Sequence, residues 1–278
     1  MKKFLAVTLT AAMALSLASC GSTEETTVAT TAATTAAETS EETTEATEAE
    51  ETTAADADDV FAKSEGVMTY EEYVAADLDT EVVIEAFVQA KQSWWEDQAT
   101  VYLQDPDGAY FCYNMACSED DYALLVVGQK IKVTGYKSEW AGEIEIADAT
   151  FEIEDGNWIA TATDVTEILG TDDLINMQNQ FVSFTDMTVE ATKIDGDDTE
   201  YAFLYNWDGS GSQGDDLYFT VSVNGQSYTF TVESYLCDSS TEVYQAVEGL
   251  QIGDTVDMEG FLYWYEGVNP HITSITVK

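Results

Sequence analysis

Acid–base and nucleophilic catalysis need a base within reach of a nucleophile, and this chain offers one histidine, His271. His271 opens the alternating stretch "HITSITVK" (271–278), with no nucleophile-elbow serine or cysteine beside it, so it reads as a strand residue. The 54 Asp and Glu residues are too many for any spacing to single out a pair. A hydrolase using the carboxylates of the 208–216 loop is therefore the last of three functional readings. The loop "DGSGSQGD" (208–215) lacks the Lys-Ser/Thr that completes a phosphate cradle. Calcium would need clustered oxygen ligands, for which Asp105/Asp107, Asp195/Asp197/Asp198 and Asp208/Asp215/Asp216 are the candidates. None fits the twelve-residue loop pattern, and they read first as solvated turn residues. One histidine and no C-x-x-C argue against zinc. The chain reads as a non-enzyme without cofactor, with calcium kept open.

Aromatic side chains carry the stronger signal. Trp94 and Trp95 stand between two strand-like stretches, and Tyr136 and Trp140 flank a later turn. Trp207 adjoins the Gly/Ser loop, and Tyr263 and Tyr265 lie near the C-terminus. Rings in loops stack on sugars, bases or apolar peptide groups. These seven are the candidate ligand-binding residues, Trp95 and Trp140 foremost among them. The bland alternative is that half of them plug the ends of barrels.

Charge narrows the partners. The formal net charge is −45, with nine lysines and no arginine. Arginine is the side chain suited to bidentate phosphate contacts. A field this negative repels polyanions and admits neutral or cationic partners. It leads to the expectation of an extracellular glycan, peptide or protein ligand and makes nucleic acid a disfavoured one. Single-stranded nucleic-acid binding is nonetheless the alternative reading, because Lys130, Lys132 and Lys137 form a local basic patch beside Trp140. Glu139, Glu143 and Glu145 surround that patch.

The N-terminus supplies an address. Lys2 and Lys3 precede an apolar run, Phe4 to Leu17, too short to span a bilayer comfortably. The following Leu17-Ala18-Ser19-Cys20 resembles the bacterial lipobox, which implies cleavage before Cys20, lipid on that cysteine and an extracytoplasmic position on the cell membrane. Residues 1–19 are thus expected to be a lipoprotein signal peptide. Residues 20–60, rich in Thr, Ala and Glu, are expected to form a disordered tether, since they cannot bury enough apolar surface to offset ordering. Three cysteines remain, Cys112, Cys117 and Cys237, expected as buried thiols with a Cys112–Cys117 bridge as the alternative.

A repeat organises the rest. "VGQKIKVTGYKSEWAG" (127–142) recurs as "IGDTVDMEGFLYWYEG" (252–267), with Gly128/Gly253, Gly135/Gly260 and Gly142/Gly267 in register. Ile131 and Val133 match Val256 and Met258 at inward positions, while outward residues diverge. Ahead of the first copy come strand-like stretches at 80–91, 99–105 and 109–114 and a helix over 118–127 capped by Ser118; a strand over 142–153 follows. In the second half, 179–193, 200–206 and 217–233 read as strands, the last folded at an Asn224-Gly225 turn. A helix over 239–250 precedes the final pair. Three strands, a helix and two strands is the order of the OB-fold, a five-stranded Greek-key barrel. The fold expected is mainly β: two tandem barrels, residues 61–156 and 157–278, each with a short helix before strand four. Two β-sandwich domains are the alternative. The "VGxxIxVTG" segment and the tandem arrangement resemble secreted lipoproteins of clostridia, which implies this architecture and no particular activity.

Overall fold

The computed structural model describes residues 60–278. Cys20, the expected signal segment and nearly all of the expected tether lie outside them. Among the described residues no helix is long and apolar enough to cross a membrane.

The first barrel is built from β1 (Glu81–Lys91), β2 (Gln98–Gln104), β3 (Ala109–Ala116), β4 (Gln129–Trp140) and β5 (Glu143–Asn157), closed in the order β1-β2-β3-β5-β4. A helix, α1 (Tyr70–Ala75), precedes it, and a single turn, α2 (Glu119–Tyr122), lies between β3 and β4. The second half adds a short β6 (Thr163–Asp164), β7 (Phe181–Glu190), β8 (Leu204–Tyr205), β9 (Leu217–Val223) and β10 (Gln226–Val232). Helix α3 (Glu242–Glu248), β11 (Thr255–Phe261) and β12 (His271–Val277) complete it. Pairing of β7 with both β9 and β11 closes β7-β9-β10-β12-β11 into a second five-stranded barrel, with β6 and β8 as additions outside the ring. The two rings have the same topology, down to the parallel contact of third and fifth strands, β3 with β5 and β10 with β12.

The repeat explains the match. Ile131 and Val133 in β4, and Val256 and Met258 in β11, are buried at the barrel axes. Gly128 and Gly253 each have positive φ, and each donates its N–H to the first strand of its own barrel, Val88 O at 2.7 Å and Val189 O at 2.8 Å. Each barrel has its own apolar core, one around Phe184, Phe219 and Phe230, the other around Tyr110, Leu103 and Ile84.

Local chemistry accounts for several element ends. The Ser118 hydroxyl accepts from Asp121 N, capping α2 as its type predicts. Helix α2 is far shorter than the expected 118–127: only Leu125 is buried there, and Leu124, Val126 and Val127 face solvent. The Thr241 hydroxyl accepts from Tyr244 N and caps α3. Asn224 and Gly225 both take positive φ in the two-residue turn between β9 and β10, the geometry such hairpins demand. The expected strand over 200–206 survives only as Leu204–Tyr205. Helix α1 adds to the expected elements, and its capping box of Thr69 and Glu72 is a legible local signal.

The lysine patch is a correction. Lys130 is buried and ion-paired with Glu85 at 3.1 Å and Glu154 at 3.7 Å. Lys137 is buried as well, its ammonium donating to the carbonyls of Tyr73, Val74 and Ala76 at 2.8–3.0 Å. The segment ahead of β1 covers the outer face of the barrel, so positions that alternation places outward are not solvent-facing. Of the three lysines only Lys132 keeps partial exposure.

Candidate ligand-binding cleft

The barrels meet through a small aromatic core of their own. Tyr102 stacks on Phe261 with centroids 4.3 Å apart, and Phe111 packs beside them. Across the junction Phe181 N donates to Gln104 Oε1 at 2.8 Å, Ser93 N to Tyr235 O at 2.7 Å and Glu266 N to Ala141 O at 2.7 Å.

Above this junction opens a cleft of about 1380 Å³. The β1–β2 loop supplies Trp95, the end of β4 supplies Trp140, and the chain after β8 supplies Trp207. These indoles are 64, 62 and 74 % exposed, far more than packing residues would be. Tyr263 and Tyr265, following β11, complete the five candidates that the fold brings together. Two candidates lie elsewhere. Trp94 is half-buried, with its indole N–H donating to Cys117 O at 2.9 Å, and Tyr136 sits on β4 with its hydroxyl toward Glu81. Adjacent loop residues point apart here, which is why Trp94 and Trp95 separate.

The lining also holds Tyr113, Tyr218, Tyr235 and Glu233, which the sequence did not mark, together with Glu145 and Asp216, which it raised only as a neighbour of the lysines and as a calcium or hydrolase candidate. Period-two alternation along β3 could have placed Tyr113 outward; nothing in the sequence marks Tyr235 or Glu233. Glu233 has one carboxylate oxygen without a partner, and burial, then Asp216 nearby, pushes its pKa up to about 7. Burial also raises Glu145. The one lysine in the wall, Lys193, pairs with Glu200 at 3.3 Å.

His271 stands at the floor, stacked on Tyr263 with centroids 4.2 Å apart and with Nδ1 3.0 Å from the Tyr102 hydroxyl. Burial lowers its pKa to about 3, so the ring is neutral and serves the junction. Cys112, Cys117 and Cys237 are buried free thiols, and burial holds Cys117 near 11 and Cys237 near 12. Among the described residues no three carboxylate, Cys or His side chains converge as a metal site. The loop carboxylates cap their own turns instead: Asp105 accepts from Asp107 N and Gly108 N, Asp197 from Thr199, and Asp208 from Ser210 N.

No protein-family model and no curated protein matches the sequence. Among solved structures, the chain is similar to a HINa domain in complex with 20-bp double-stranded DNA, at 11 % identity and a TM-score of 0.32, covering 72 % of this chain and 96 % of that one. A murine DNA-binding protein bound with double-stranded DNA aligns at 8 % identity and TM-score 0.32, covering 70 % and 94 %. A replication protein A heterotrimer bound to single-stranded DNA aligns at 12 % identity and TM-score 0.31, covering 76 % and 52 %. The DNA in these complexes is bound by those proteins; for this chain, the expectation from net charge that nucleic acid is a disfavoured partner is withdrawn. Net charge is a sum over the chain and does not describe how one cleft meets its ligand. The chain's own architecture is plain: two OB-fold barrels sharing an aromatic cleft.

Proposed function

We propose that this chain is a non-catalytic binding protein whose site is the cleft between the barrels, and that it holds single-stranded nucleic acid with the bases inward. The observation that supports this reading is the set of exposed indoles, Trp95, Trp140 and Trp207, gathered on one cleft. A base stacked on such a ring gains about 1–3 kcal/mol without regard to sequence. Glu145 and Glu233 line the cleft, and carboxylates are the side chains that accept from the exocyclic amino group of cytosine. Among the described residues the cleft's lysine, Lys193, is paired with Glu200, so phosphates stay outside in solvent and counterion release contributes little. The chain is carried on the outer face of the membrane by lipid on Cys20.

Binding of labelled oligo-dC, followed by anisotropy and indole quenching over a salt series, tests the reading. The expected result is affinity that stays level or improves with salt, because screening relieves the negative field. Trp140→Ala and Trp207→Ala should each weaken it by about 5- to 100-fold. No binding at any salt would sink the nucleic-acid assignment. Quenching of the same indoles by a neutral oligosaccharide, lost in the same variants, would keep the cleft and replace the ligand. Palmitate labelling that persists in Cys20→Ala would refute the anchor.

A further inference from the structure

The wall of the aromatic cleft carries a charge that base stacking alone does not use. Among the described residues four carboxylates, Glu145, Asp216, Glu233 and Glu266, line it against one ammonium, Lys193, which pairs with Glu200 at 3.3 Å. His271, the other basic side chain there, is neutral because burial lowers its pKa to about 3. The acids reach the rings themselves. Burial, then the charges of Asp216 and Glu233, pushes the Tyr218 phenol up to about 12. Burial, then Glu143, Glu145 and Glu233, raises Tyr263 as well. Glu266 N donates to Ala141 O at 2.7 Å, so the Tyr265–Glu266 backbone lies against the turn that follows Trp140.

Two features fix the kind of positive charge this wall suits. Among the described residues no three carboxylates converge on a point, so a compact metal ion finds no coordination shell there. The exposed surfaces between the acids are flat: the indoles of Trp95, Trp140 and Trp207, and the Tyr235 and Tyr265 rings, 60 and 50 % exposed. A planar ring with its charge spread over several atoms meets both conditions. It stacks on an indole as any base does and adds the attraction of a cation for the negative face of that indole. A concave wall of one sign of charge strengthens the attraction.

We propose, building on the reading of this cleft as a base-binding site, that it selects nucleobases made cationic by alkylation of a ring nitrogen over their neutral forms. The indoles supply stacking to any base, and the carboxylates supply the selection. A neutral base leaves those carboxylates facing one another without a counter-charge.

The isomers 1-methyladenosine and N6-methyladenosine contain the same atoms, and only the first carries a ring charge at neutral pH. Titration of each into the folded chain at low salt, read by indole quenching and calorimetry, tests the selection. 1-Methyladenosine should bind about 5- to 30-fold more tightly than its isomer. Glu266 is exposed, so Glu266→Gln removes a charge without touching the core. It should shrink the preference at least about twofold, with Glu266→Asp restoring it. Glu233→Gln should shrink it as well. Equal affinity of the two isomers, or binding of neither, overturns the selection. Labelled oligo-dC retained in the same assay then keeps the nucleic-acid reading, and oligo-dC lost removes that reading too. A preference for 1-methyladenosine without retention of oligo-dC supports the charged-base site and removes the strand. Displacement of 1-methyladenosine by spermidine at equal or lower concentration overturns the selection in favour of a site for any cation.

Discussion

Glu143 keeps a proton that an exposed glutamate would release. Burial pushes its pKa from 4.5 to about 8, against the hydrogen bonds from Trp264 and Gln178 that favour the charged form. Because the folded value lies above the unfolded one, the stabilisation from this proton is fully present below about pH 4.5 and is lost as pH rises through about 8. Glu233 adds a contribution of the same sign, lost by about pH 7. Stability should therefore fall between those limits. Glu143→Gln should flatten the fall and leave the protein more stable than wild type at pH 8 by about 2–4 kcal/mol, measured by urea denaturation across pH. A variant as pH-sensitive as wild type would refute this. In the sequence Glu143 looks like Glu139 or Glu145, one acid among many on an alternating strand. Its burial comes from the second barrel packing over the start of β5, which no local pattern records.

Strands four of the two barrels show what a repeat can and cannot say. Gly260 sits at a register shift between β11 and β12. A Cβ there would lie 2.2 Å from His271 O and 2.8 Å from Ile272 Cα, both backbone atoms that cannot swing aside. Gly260→Ala should cost about 2–4 kcal/mol, while Gly253→Ala, strained at φ +97° but facing open space, should cost about 1–2 kcal/mol. Equal losses in denaturant titrations would contradict the assignment of close approach to one and turn geometry to the other. The glycine register, the inward residues and the Asn224-Gly225 turn were readable because they are local requirements of strand and hairpin. The fates of Lys130 and Lys137 were not, because alternation names a face without saying whether another segment covers it. Lys137 ends at the C-terminal carbonyls of α1, where a cation is favourable.

The two barrels share more than a linker. Tyr102 on Phe261, Gln104 on the Phe181 amide and Glu143 on the Trp264 amide tie them across their junction. Unfolding either barrel would expose this aromatic seam and orphan its buried polar groups. Calorimetry should give one transition with matching calorimetric and van't Hoff enthalpies, and Tyr102→Ala should broaden or split it. Two transitions in the wild type would show that the barrels melt independently. The sequence alone pointed to two OB-fold barrels of one topology, with two β-sandwiches as the alternative that barrel closure removed, since period-two alternation, paired glycines and strand order are properties of short windows. It also marked the aromatic residues as a group. Only the tertiary structure decided that five of the seven face one cleft, that Trp94 and Tyr136 do not, and that Glu233 and Tyr235 join them. That division follows from how one closed barrel is set against another, which is fixed by packing between residues 77 to 169 positions apart.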